Sequence, residues 1–188
     1  MRLTPAFKAS LVVLVLVVVL WVTWSKYSEF LSQGQRPPET ALKLNRIEKD
    51  GFPDFLIKTL NGEDVSLKKF SGKLVIINFW ASWCDPCVAE FPSLLKLLKK
   101  FNGEIVMIAI SADYEEKDIH IFLKAFGEVN PNLHVVWDKS LELAKKFGTE
   151  KLPESYIIGR DGRLIRKVSG VDDWSTNDAI NFFTHLLR

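Results

Sequence analysis

Only two cysteines occur among the 188 residues, and the three histidines, His120, His134 and His185, lie scattered along the chain. A structural zinc centre needs four ligands; a CxxC pair could supply half of one, but no second pair stands at ligand spacing. A net charge of +2 and the lack of any long basic run give no footprint for nucleic acid. No internal repeat is visible, so a solenoid or propeller is not indicated. The length leaves room for one domain of ordinary size and an extension.

What is present is concentrated around Trp83-Cys84-Asp85-Pro86-Cys87. Leu74 to Trp80 precedes it, an apolar, β-branched run of the kind that forms a strand buried on both faces. Val88, Phe91, Leu94, Leu95 and Leu98 follow at helical spacing. Both cysteines therefore fall where a buried strand turns into a helix, with Cys84 near the helix N-terminus. Unpaired N–H groups and the helix dipole stabilise a thiolate there, and Pro86 suits the first helical turn. A purely structural disulfide closing so small a loop would restrict the unfolded chain little. The pattern is one of dithiol–disulfide exchange.

The other long apolar run is N-terminal. Leu11 to Leu20 is unbroken Leu and Val, continued by Trp21, Val22, Thr23 and Trp24 and preceded by Arg2 and Lys8. It falls short of the ~20 residues a spanning helix prefers, though Ala9 and Ser10 can extend it. Trp21, Trp24 and Tyr27 suit a membrane interface. A cleaved signal peptide would want a small-x-small site, and Thr23-Trp24-Ser25 is a poor version of one. The expectation is an uncleaved anchor over 9–25, with 1–8 cytoplasmic and the remainder outside the cytoplasmic membrane. Either reading exports the cysteines to an oxidising compartment.

Residues 26–50 read as a tether; Ser32 to Pro38 opposes helix and strand, and Glu39 to Lys49 offers a weak helical stripe. The globular domain is expected over 51–188. Asp54–Leu60 and Val65–Leu67 read as a hairpin around Asn61-Gly62. Beyond the CxxC helix, which runs to about Lys100, come a strand at Ile105–Ile110 and a helix at Glu115–Phe126. A strand at His134–Trp137 and a helix at Leu141–Phe147 follow. A hairpin of Glu154–Gly159 with Leu164–Val168 and a helix at Thr176–Leu187 complete the chain. The pattern predicts an α/β domain with a mixed sheet covered on both faces.

These residues together resemble a family. Phe52-Pro53-Asp54-Phe55, Leu67 to Lys73, Asn78 to Cys87, Glu90-Phe91-Pro92, Leu152 to Ile158 and Asp161-Gly162 occur in the order seen in membrane-tethered thiol–disulfide oxidoreductases. The type is that of TlpA, ResA and CcmG (DsbE), within the AhpC/TSA–redoxin superfamily. The resemblance covers about Gly51 to Arg188 and implies a thioredoxin fold with an N-terminal β-hairpin extension. It implies Cys84 as attacking thiolate and Cys87 as resolving thiol. Pro153 matches the proline that is cis in this fold and faces the cysteines, against the alternative of a trans loop proline. Leu152 would offer backbone groups to an extended substrate, beside Trp83, Asp85 and Pro86.

Two departures from cytoplasmic thioredoxin bear on chemistry. Asn78 stands where that family has a buried Asp, and Glu90, one helical turn beyond Cys87, matches an acidic residue of the tethered relatives. Glu90 reads either as that catalytic group or as an exposed helix carboxylate. Asp85 should disfavour a Cys84 thiolate, so the pair reads as a reductant. Trp83 and Trp80 are expected beside the site, Trp83 either as a contact surface or as core. Glu154 resembles an acidic residue of cytochrome c maturation members and reads as an exposed charge.

The resemblance implies exported protein disulfides as substrates, apocytochrome c among them, and a membrane electron donor of the CcdA or DsbD type. It implies no metal and no cofactor beyond the Cys84–Cys87 disulfide. Two alternatives compete. A peroxidase would want Thr where Ala81 stands, three residues before Cys84. A copper chaperone would want a wider cysteine spacing and a dedicated His.

Overall fold

A computed structural model describes residues 5–35, 42, 47, 49, 56–127 and 130–188. The chain divides into two units, Met1–Pro38 and Glu39–Arg188. The first is a single helix, α1 (Pro5–Gln35). It continues past Ser25, so the early part of the expected tether is helical; Pro37 and Pro38 then oppose continuation. From Leu11 to Val22 every side chain is apolar, and those described there are exposed within their unit. That section rises only about 18 Å at 1.5 Å per residue, against a hydrocarbon core of about 30 Å. Among the described residues no helix is long and apolar enough to cross a membrane.

The second unit begins, among described elements, with the expected hairpin. β1 (Leu56–Lys58) pairs antiparallel with β2 (Asp64–Ser66), Ile57 opposite Val65. Gly62 sits in the turn at φ 83°, a conformation that favours glycine. The motif Phe52 to Phe55 lies outside the described residues. A short 3₁₀ turn, Leu67–Phe70, leads into β3 (Leu74–Trp80).

β3 is the centre of a five-stranded mixed sheet in the order β5-β4-β3-β6-β7. β4 (Ile105–Ser111) and β5 (Leu133–Trp137) run parallel to it. β6 (Glu154–Ile158) and β7 (Leu164–Ser169) complete the sheet by antiparallel pairing. Every residue of β3 is buried, and strand alternation divides them between two cores. Leu74, Ile76 and Trp80 face α2 (Asp85–Lys100), α3 (Glu116–Lys124) and α5 (Asn177–Leu186). Val75, Ile77 and Phe79 face the hairpin and α4 (Glu142–Phe147).

The CxxC helix is held by its apolar stripe. Phe91, Leu94, Leu97 and Leu98 are all buried against the sheet. Phe91 packs on Trp80, Phe122 and Phe126 at ring-centroid distances of 5.2, 5.1 and 5.3 Å. The parallel strands β3 and β4 end together, Trp80 opposite Ser111, and deliver their loops to one edge. Crevices at the carboxyl ends of parallel strands are where such sheets bind and react.

Candidate functional site

Cys84 is the N-cap of α2, and its sulfur accepts from the Cys87 backbone N–H at 3.3 Å. The loop from Trp80 leads into it through a Cys84 N–H to Ala81 carbonyl bond of 3.2 Å. The two cysteines are joined as a disulfide, their Cα atoms 5.2 Å apart. Asp85 and Pro86 open the helix and are exposed, Pro86 in the first turn. An N–H aimed at the Cys84 sulfur, as that of Cys87 is, favours its anion when the pair is reduced.

Leu152 packs into the same core cluster as both cysteines. The Leu152–Pro153 peptide bond is cis, and the Pro153 carbonyl accepts from Gly170 N–H at 2.9 Å. This cis bond, unsettled from sequence, is the form the resemblance implied.

Glu90 is no surface carboxylate. It lies one turn past Cys87 on the inward face of α2, 2% exposed. Its Oε1 accepts from Trp174 Nε1 at 2.5 Å and from the Asp172 N–H at 3.3 Å. Burial raises its pKa to about 7, and the Trp174, Asp172 and Asn78 hydrogen bonds only partly oppose that rise. Residues three apart on a helix share a face, so a carboxyl that changes protonation near neutrality stands behind Cys87. Asn78 is also buried; its Nδ2 donates to Ser155 Oγ at 2.9 Å, and its Oδ1 has no hydrogen-bond partner.

One alternative narrows and one expectation changes. Trp80 is fully buried beneath the site, whereas Trp83 is 53% exposed and stacks on Tyr114, ring centroids 5.8 Å apart and planes within 20°. The contact-surface alternative for Trp83 is the one the structure fits. Glu154, expected to be exposed, is buried beside Pro153. It pairs with Lys167 Nζ at 2.9 Å and accepts from Ser169 Oγ at 2.5 Å and the Tyr156 hydroxyl at 3.1 Å. A buried carboxylate survives when it is paired and hydrogen-bonded in this way.

Asp113, Tyr114 and Trp174 complete the surroundings and carry no motif in the sequence. Trp174 and Asp172 reach Glu90 from the loop before α5, 84 and 82 residues away in sequence. Only the position of Asp113 and Tyr114, just past a parallel strand, could have drawn attention to them. Among the described residues no group of three metal-ligating side chains occurs.

Residues 49–167 match the AhpC/TSA family. The chain belongs to the AhpC/TSA family. Within it, the chain is 31% identical over 155 residues to the thiol-disulfide oxidoreductase ResA of Bacillus thuringiensis, covering 82% of this chain and 86% of that one. To ResA of Bacillus subtilis it is 28% identical over 142 residues, covering 75% and 76%. The fold agrees with a structure from Chlorobium tepidum described as a putative thiol:disulfide interchange protein DsbE. The TM-score is 0.64 at 25% identity, over 73% of this chain and 96% of that one. StoA from Bacillus subtilis superposes with a TM-score of 0.57 at 25% identity, over 70% and 96%. This member of the family is therefore a thioredoxin-like thiol–disulfide oxidoreductase of the ResA and CcmG type.

Proposed function

We propose that this oxidoreductase is a membrane-anchored reductant of disulfides in exported proteins, of the cytochrome c maturation type. The observation that carries the direction is the charge around the pair. Asp85 adjoins Cys84 at the surface, and buried Glu90 lies behind Cys87 with a pKa near 7. Negative charge beside a sulfur disfavours its thiolate, and a dithiol with less acidic sulfurs is a weaker oxidant.

In the reduced protein the Cys84 thiolate attacks one sulfur of a substrate disulfide, forming a mixed disulfide and releasing the first substrate thiolate. Cys87 gives its proton to Glu90, attacks the Cys84 sulfur and releases the second substrate thiolate, closing the Cys84–Cys87 disulfide and leaving the proton on Glu90. Two electrons pass to the substrate. A dithiol donor in the membrane, of the CcdA or DsbD type, returns them by the reverse exchange. Leu152, which packs in the same core cluster as the cysteines, and the cis Pro153 after it are assigned to the substrate approach, with exposed Trp83, Asp85 and Pro86 as its rim.

The anchor is assigned to 9–25 within α1. Seventeen residues is the lower limit for a span, and a bilayer can thin locally to match it. Arg2 and Lys8 before the run set the amino end in the cytoplasm, which places the pair on the far side of the cytoplasmic membrane. A peroxidase reading finds no support at Ala81, which is fully buried and carries no hydroxyl for a peroxide.

The test uses the purified, reduced chain and a peptide with an intramolecular Cys-x-x-Cys-His disulfide. The peptide is expected to be reduced with formation of the Cys84–Cys87 disulfide. Oxidation of the reduced peptide by the oxidised chain, with no reaction in the other direction, would contradict the proposal.

A further inference from the structure

Asp113 follows β4 by two residues, is 2% exposed, and collects four hydrogen bonds on its two carboxylate oxygens. The Ser82 N–H lies 3.1 Å from both oxygens, the Ser82 hydroxyl donates at 2.6 Å and the Ser111 hydroxyl at 2.6 Å. The Asp113 backbone is fixed as well: its N–H donates to Ser111 Oγ at 3.0 Å and its carbonyl accepts from Trp137 Nε1 at 2.8 Å. One residue thus ties together the carboxyl ends of β3, β4 and β5. All the donors are neutral, and among the described residues no cation stands within ion-pair distance of it. Such a set suits an ionised carboxylate, which only accepts.

Ser82 precedes Cys84 by two residues, and Tyr114, next to Asp113, stacks on Trp83. We infer that Asp113 is a positioning residue for the redox pair, its carboxylate fixing the chain two residues ahead of Cys84 and holding a negative charge on that loop. The inference deepens the reductant reading and rests on it. Positioning follows from the geometry, because the loop that carries Cys84 out of β3 has the Ser82 N–H and hydroxyl bound to this one carboxylate. Tuning follows from charge, because an anion held by neutral donors in a buried site is weakly screened. Among the described residues, Asp85 beside Cys84, Glu90 behind Cys87 and Asp172 against Glu90 also bring acidic groups to this region; all three stay in place in the variants below.

The test measures the pH dependence of Cys84 alkylation in the reduced chain and the exchange equilibrium with glutathione. Asp113→Asn removes the charge and keeps the size. Its Cys84 is expected to form thiolate at lower pH than wild type, with the equilibrium moved about three- to tenfold toward the dithiol; tenfold corresponds to about 30 mV. Ser82→Ala keeps the charge and removes one hydroxyl that neutralises it. Its Cys84 is expected to titrate higher, with the equilibrium moved about twofold toward the disulfide. Opposite shifts support the inference, because loosened packing alone would move both variants the same way. Shifts of the same sign, or a folded Asp113→Asn with unchanged titration, would overturn it. Should Asp113→Asn fail to fold, Ser82→Ala decides alone: no upward shift overturns the inference. These are differences from wild type, so they stay readable even if the absolute potential contradicts the reductant reading.

Discussion

Replacing Cys87 with alanine is expected to trap the substrate on Cys84 as a mixed disulfide and to lower turnover by on the order of a thousandfold or more. The resolving thiol acts within the molecule, and a group held in place is worth a very high effective concentration. The geometry supports the proposed roles. Cys84 caps the helix, where the Cys87 N–H points at its sulfur, and Cys87 lies inside the first turns among the buried residues of the helix. On the proposed mechanism the attacking sulfur is the one the helix terminus stabilises as an anion, and Cys87 is the resolving thiol. Cys84→Ala is expected to trap nothing. Non-reducing gels followed by mass spectrometry of the adduct check both variants. Adducts on Cys84→Ala and none on Cys87→Ala would reverse the assignment.

Glu90→Gln has the second large effect, and it shows in stability as well as rate. Burial raises the Glu90 pKa from 4.5 to about 7 in the folded protein. A carboxyl raised above its unfolded value contributes stability that is full below about pH 4.5 and is lost as pH rises through about 7. Urea unfolding of the oxidised wild-type chain should therefore show stability falling by on the order of 2–3 kcal/mol between about pH 5 and pH 8. Glu90→Gln should lose that fall and be the more stable of the two above about pH 7. Trp174 Nε1 can still donate to the amide oxygen of the variant, so the fold should survive the change. In the reduced protein, the substituted amide cannot take the Cys87 proton. Resolution of the mixed disulfide should slow by about a hundredfold, in the range general acid–base groups contribute. Identical pH profiles and rates for both proteins would return Glu90 to a structural role.

The parts legible in the sequence are those set by local pattern. β3 is bounded at Leu74 and Trp80 by an apolar, β-branched composition of the kind that forms a strand covered on both faces. The α2 stripe, the Asn61-Gly62 turn and the Gly148 helix end follow from spacing and backbone preference alone. The cysteines can be placed because a strand end and a helix start meet at them. Glu90 can be placed on a face, but its burial cannot be read, since Trp174 and Asp172 come from a loop more than eighty residues on. The same holds for Glu154, which sequence presents as a charge beside a proline and the fold encloses with Lys167, Ser169 and Tyr156. Asp113 has no motif at all; its donors converge only once β3 and β4 are paired in register. The full length of α1 is hidden because Gly34 and Gln35 group in sequence with the prolines after them, although only the prolines stop a helix.

The reduction potential of the Cys84–Cys87 pair, measured on the purified full chain by equilibration with glutathione or thioredoxin, tests the account most directly. A value near or below that of thioredoxin, about −270 mV, is the predicted result and makes the protein a reductant that depends on a dedicated electron donor. A value near that of DsbA, about −120 mV, would make it a disulfide donor and contradict the reading of Asp85, Glu90 and the charge around the pair.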